Sequence, residues 1–223
     1  MNPRKFDGVA LALGTFAMLV TMATHPSGGS GQTLRDGESL SRVGVAAVVS
    51  HSIGIAALPL LLLGFWGLSR RLGWESGPVR LAFAAYALAT AAVLNAAIMS
   101  GFVATGVAMS IRPETAEGAK AVAGLYAYTF VVNQGFAKVH VVASSAAIVL
   151  WSLRMIRLRG GWRAAGIFGL VAGALPAAGV LASALPLNVH GFGMVVLLQS
   201  AWTFWIASRM ARGESAGITI SSP

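Results

Sequence analysis

The sequence predicts an all-α membrane protein: a six-transmembrane-helix bundle built as three helical hairpins, with both termini on the cytoplasmic side. Three observations lead there. The chain is 56% hydrophobic and only 10% charged, whereas a soluble domain carries roughly a quarter charged residues because its surface meets water. Apolar runs able to cross a hydrocarbon core about 30 Å thick recur along the chain. Lysine and arginine gather at alternate connections, the pattern that marks cytoplasmic loops. A large soluble helical bundle would need charges inside those runs, and they hold almost none.

Each span follows from its punctuation. The first, 6–24, follows Arg4 and Lys5 and ends at His25 and Pro26, since proline disfavours helix in the residue before it. No convincing small-residue cleavage site follows, so the segment is read as a retained helix. A polar stretch rich in glycine and serine, 27–41, leads to the second span, 43–68, which stops at Ser69, Arg70 and Arg71. Gly73, Gly77 and Pro78 break the next connection. The third span covers 79–111 and the chain turns at Arg112, Pro113 and Glu114. The fourth covers 121–156. Arg157, Arg159 and Arg163 with Gly160 and Gly161 precede the fifth, 164–185, and the sixth covers 189–207. Residues 1–212 form one domain on this reading, and 213–223 a flexible cytoplasmic tail.

Odd-numbered spans are preceded by Arg4/Lys5, by Arg70/Arg71/Arg80 and by Arg154/Arg157/Arg159/Arg163, and Arg209 and Arg212 open the tail. Counting Lys and Arg places both termini inside a bacterial-type inner membrane. The net charge of +9 thus reflects basic loops against a lipid bilayer, and no nucleic-acid partner is expected. The third and fourth spans exceed what a bilayer requires. Their outer parts, 101–111 and 121–130, are expected to protrude as a hairpin or to lie on the outer surface, with Tyr126 and Tyr128 at the interface.

The four histidines carry the functional expectation. Arg70 lies 19 residues beyond His51, Arg209 lies 19 beyond His190 and Arg159 lies 19 beyond His140, while His25 lies 20 beyond Lys5. At 1.5 Å per residue this puts all four roughly 28–30 Å above the cytoplasmic boundary, in one layer. Imidazole binds transition metals well. His51, His140 and His190 are therefore predicted to ligate a metal near the outer face, with His25 as a fourth ligand or lid. Met99 offers a thioether at the same level, and soft sulfur favours copper over zinc. Lys138, Asn133, Gln134 and Asn188 are expected around the metal or its substrate, although Lys138 also suits snorkelling to outer headgroups. The implied role is redox or metal handling.

Two alternatives stand beside it. One is a heme b protein exchanging electrons with quinol, and the other a non-catalytic subunit of a larger membrane complex. A weak repeat runs through three descending helices: His51, His140 and His190 are followed by Trp66, Trp151 and Trp205. Cysteine is absent, which removes thiolate metal sites. The acidic residues lie outside the apolar runs, apart from Asp7 at the very start of the first, against ion-driven carriers and zinc hydrolases. No nucleotide fingerprint or nucleophile elbow appears.

Overall fold

A computed structural model describes residues 3–25, 37–110 and 115–214. The elements are α1 (Pro3–Thr24), α2 (Gly37–Arg71), α3 (Gly77–Ala97), a π-helical turn (Ile98–Val103), α4 (Ala104–Ser110), α5 (Ala116–Met155), α6 (Gly161–Leu181) and α7 (Val189–Ala211). Among the described residues six helices are long and apolar enough to cross a membrane, with α3, the π turn and α4 counting as one rod. The protein is a multi-pass helical membrane protein. The predicted polar loop up to residue 36, the turn at Arg112, Pro113 and Glu114, and the tail from residue 215 lie outside the described residues.

Local chemistry sets the helix ends. Ser76 precedes α3, with Pro78 in its first turn, where a missing N–H costs nothing. Thr115 caps α5 by accepting the Gly118 N–H at 3.1 Å, and Asn188 caps α7 by accepting the Gly191 N–H at 2.9 Å, each satisfying an orphan donor. Four predicted boundaries move by four residues or more: α5 starts at Ala116 instead of 121, α7 runs to Ala211 instead of 207, and the start of α2 and the end of α6 shift as well. Helix α2 begins at Gly37 instead of 43, because no breaker separates Glu38 from the apolar run. Helix α6 stops at Leu181, short of 185, where Ser183 takes φ 55° and the N–H groups of Ala184 and Leu185 return to the Gly179 carbonyl.

The six spans close into a ring in the order α1, α2, α3, α5, α6, α7. Two predicted hairpins, α1–α2 and α3–α5, are closely packed pairs. The third pairs differently: α6 packs chiefly on α5 and α7 chiefly on α1, with lighter contact between α6 and α7. Small residues set this choice, since without a hydrophobic drive in lipid the closest backbones win. At Gly8 of α1, for instance, a Cβ would sit 2.8 Å from the Met210 backbone of α7.

One end of the ring is basic and tightly filled. Arg154 Nε donates to the Leu72 carbonyl at 3.2 Å, Arg209 lies 5.3 Å over the Trp162 ring, and Glu214 pairs with Arg209 and Arg212. Just inside, Phe65, Trp151 and Trp202 form a stack of near-parallel rings. The Phe65–Trp151 centroids are 4.8 Å apart with the planes inclined by 4°, and Trp202 lies 6.1 Å from Phe65. Tyr86 leans on Phe65 at 4.2 Å. Both indoles are satisfied, Trp151 Nε1 donating to Ser69 Oγ at 3.0 Å and Trp202 Nε1 to the Ala165 carbonyl at 3.1 Å.

Helix α5 has 40 residues, about 60 Å of rise and roughly twice a hydrocarbon core. Its first turns, 115–128, are mostly exposed, and Tyr128 is 63% exposed. That part of the chain has few neighbours to pack against, as the excess length predicts.

Candidate functional site

At the end opposite the arginines the helices do not fill the ring. The wall starts with α2. His51 is buried there, and its Nδ1 lies 2.7 Å from the Ala47 carbonyl one turn earlier. A carbonyl only accepts, so Nδ1 carries the proton, and in the neutral ring Nε2 is left with a lone pair. That lone pair faces Ser100 Oγ of the π turn at 2.8 Å. Gly101 allows the approach: a Cβ there would lie 2.5 Å from His51 Cγ. π turns inside α-helices mark functional positions more often than chance, and this one sets a hydroxyl against an imidazole from another helix.

Beyond this pair opens a cavity of about 350 Å³. Its sides are mostly apolar, from Ile55, Leu58, Val93, Ala97 and Phe192, while His25, His51, Ser100, Asn133, Gln134 and Asn188 bring polar groups to it. His25 stands edge-on to His51 with ring centroids 4.9 Å apart. Gln134 Nε2 donates to the Leu187 carbonyl at 3.1 Å, tying α5 to the segment before α7. Met18 and Met22 of α1 also line the cavity.

No family model matches this sequence, and neither a curated protein nor a solved structure matches it.

Of the predicted site residues, His25, His51, Asn133, Gln134 and Asn188 meet at this cavity. His140, His190, Lys138 and Met99 do not line it. The single histidine layer is corrected by His140. Its Nδ1 lies 2.9 Å from the Ala89 carbonyl, whereas His51 pairs with Ser100 on the same continuous rod. Eleven residues separate those two partners, about 16 Å along the helix, so His140 lies far nearer the basic end. The choice of depth marker accounts for about half of this offset. On α5 the basic end is set by Arg154, bonded to Leu72, and not by Arg157 or Arg159, which follow the helix. His140 is only 14 residues above Arg154, about 21 Å.

His190 is exposed: Val189 and Phe192, three residues apart, face the cavity, and His190 points elsewhere on that turn. Lys138 is exposed as well, as its snorkelling alternative expects. Among the described residues no three of His, Asp and Glu come together as a metal-holding group. The ligands available to a metal are His25 and His51 with the thioethers of Met18 and Met22. A metal at His51 Nε2 would have to displace Ser100.

His140 belongs to a second, smaller pocket of about 50 Å³, which shares Met18, Leu58 and Val93 with the larger one. There Ser144 Oγ donates to Gln199 Oε1 at 3.2 Å and Gln199 Nε2 donates to Ser145 Oγ at 3.1 Å. Phe65 and Tyr86 form its floor, so the hollow stops at the aromatic stack.

Sequence reasoning passed over Ser100 in favour of its neighbour Met99. Met99 and Ser100 lie 19 and 20 residues beyond Arg80, at one depth, and the glycine at 101 is the sign in the sequence that another side chain comes close there.

Proposed function

We propose that this protein binds a lipid-soluble, carbonyl-bearing molecule within the membrane, with its polar head at the histidine end of the cavity and its apolar part along α2, α3 and α7. The observation that carries this reading is the cavity itself: about 350 Å³, with apolar walls and polar side chains confined to a few positions. Small-molecule sites typically occupy about 300–1,000 Å³ and combine apolar linings with few orienting polar groups. A quinone ring and an acyl ester both suit it, because each offers carbonyl oxygens to the side-chain amides of Asn133 and Asn188 on an otherwise apolar body.

The test uses purified protein in lipid nanodiscs with two diazirine probes, a decylquinone and a decanoyl ester. Saturable crosslinking to peptides around Met22, Ile55 and Val93 is expected for at least one. Labelling that never saturates, or that falls only on lipid-facing peptides, sinks the reading.

A second reading has its own support. Met18, Met22, His25 and His51 line one cavity, a soft donor set that suits Cu(I). Copper near one equivalent per chain after purification in copper-supplemented medium, lost in His25→Ala and Met22→Leu, would carry it. A copper content unaffected by both substitutions removes it.

A further inference from the structure

Resting on the ligand class proposed above, we infer that Ser100 and His51 form a nucleophile–base pair that cleaves acyl esters held in the cavity. Three features on two separate helices argue for it. The hydroxyl and the imidazole nitrogen are 2.8 Å apart, within the reach a general base needs. The base is oriented by a third group: the Ala47 carbonyl accepts a hydrogen bond from Nδ1–H at 2.7 Å, which turns the Nε2 lone pair toward the serine, as the orienting member of a catalytic triad does. The pair also opens onto a cavity wide enough for an acyl chain, since both residues line it.

Ser100 Oγ lies 2.8 Å from the Ala96 carbonyl too, the bond a helical serine ordinarily makes with the turn before it. One hydroxyl proton cannot serve both partners. Since His51 Nδ1 already carries the ring's proton, neutral Nε2 accepts only, and Ser100 chooses between a carbonyl and a base by a rotation about one bond. A serine with purely local bonding would need no glycine at 101 and no imagined room for an imidazole; here a Cβ at 101 would fall 2.5 Å from the ring.

The chemistry closes without a redox partner. Ser100 Oγ bonds to the ester carbonyl carbon as its proton passes to His51 Nε2. The carbon–alkoxy bond then breaks, and the leaving oxygen takes that proton. Water attacks the acyl-serine, His51 Nε2 takes the water's proton and returns it to Ser100 Oγ, and a carboxylic acid departs. Charge on the carbonyl oxygen needs N–H donors. Asn188 is suited, because its Oδ1 is occupied by the Gly191 N–H at 2.9 Å and its amide nitrogen is what it can offer the cavity. Asn133 lines the same space.

The experiment treats full-length protein in nanodiscs with a decyl fluorophosphonate and maps the adduct by peptide mass, alongside hydrolysis of p-nitrophenyl decanoate. Stoichiometric phosphonylation of Ser100 is expected. Labelling and hydrolysis should fall by about 10²–10⁴-fold in Ser100→Ala and His51→Gln, the range for losing a general base. Saturable crosslinking of the decanoyl-ester diazirine to Ser100→Ala, within about two-fold of wild type, shows that the variant keeps its cavity. Wild-type protein that binds the diazirine ester yet leaves Ser100 unmodified and p-nitrophenyl decanoate intact overturns the pair and leaves the binding reading standing. Labelling that survives His51→Gln unchanged overturns it as well. Absence of both ester binding and labelling overturns the two readings together.

Discussion

The two ends of this helical ring are built from the same six spans and differ in what those spans point inward. Toward the basic end, α2, α5 and α7 contribute Phe65, Trp151 and Trp202, all fully or almost fully buried, and their stacked rings leave no room for a guest. Toward the histidine end the facing positions are Gly54, Ala96, Ala97, Ser100 and Ala137, and a cavity replaces the core. In lipid, helix association rests on packing and hydrogen bonding instead of on escape from water, and an unfilled space forfeits dispersion contacts. The filled end therefore holds the ring together, and the hollow end is free to hold something else. Filled core and hollow space are divided along the axis of the bundle.

The sharpest way to break this comparison is Trp151→Ala. It removes the ring stacked on Phe65 and leaves Ser69 without its indole donor. A loss of about 3–5 kcal/mol is expected, as for other buried tryptophan truncations, read as a large fall in the detergent melting midpoint. If Trp151→Ala melts like wild type, the basic end is not the stabilising half.

Filling the hollow end should do the opposite. Ala97→Phe places a ring in the cavity, and the melting midpoint should hold or rise while saturable crosslinking of both diazirine probes is lost. A variant that keeps full probe binding would show that the ligand sits elsewhere.

His140 tests the boundary between the halves. His140→Leu removes one hydrogen bond to a helical carbonyl and should cost about 1 kcal/mol, with crosslinking at the large cavity kept within a factor of about three. A complete loss of probe binding would make the small pocket part of the site. The smallest effects are expected at the exposed positions. Lys138→Met and His190→Ala should shift stability by no more than about 0.5 kcal/mol and leave probe binding unchanged; a clear loss in either would return those residues to the site.

Residue by residue, the reading from sequence succeeded where one helix suffices. The spans follow from hydropathy and from Pro26, Pro78 and the arginine clusters, because the energy of crossing a bilayer is a sum over consecutive residues. Asn133, Gln134 and Asn188, expected around the histidine site, do line the cavity with His51, whereas depth counting works only while the ruler starts at a residue that truly marks the boundary. It failed at His140, where Arg157 and Arg159 follow the helix and Arg154, inside its last turn, bonds to the Leu72 carbonyl.

What the sequence by itself determined was therefore axial: six apolar rods, a basic end, and the height of each polar group along its rod. What the tertiary structure alone decided was rotational and lateral. It chose α7 over α6 as the partner of α1, turned His190 outward and Asn188 toward the cavity, and brought Ser100 rather than Met99 to His51. Height accumulates at a fixed rise per residue and can be counted. Facing depends on which backbones approach most closely and on a single π turn that rotates everything after it, and both are properties of packed helices together.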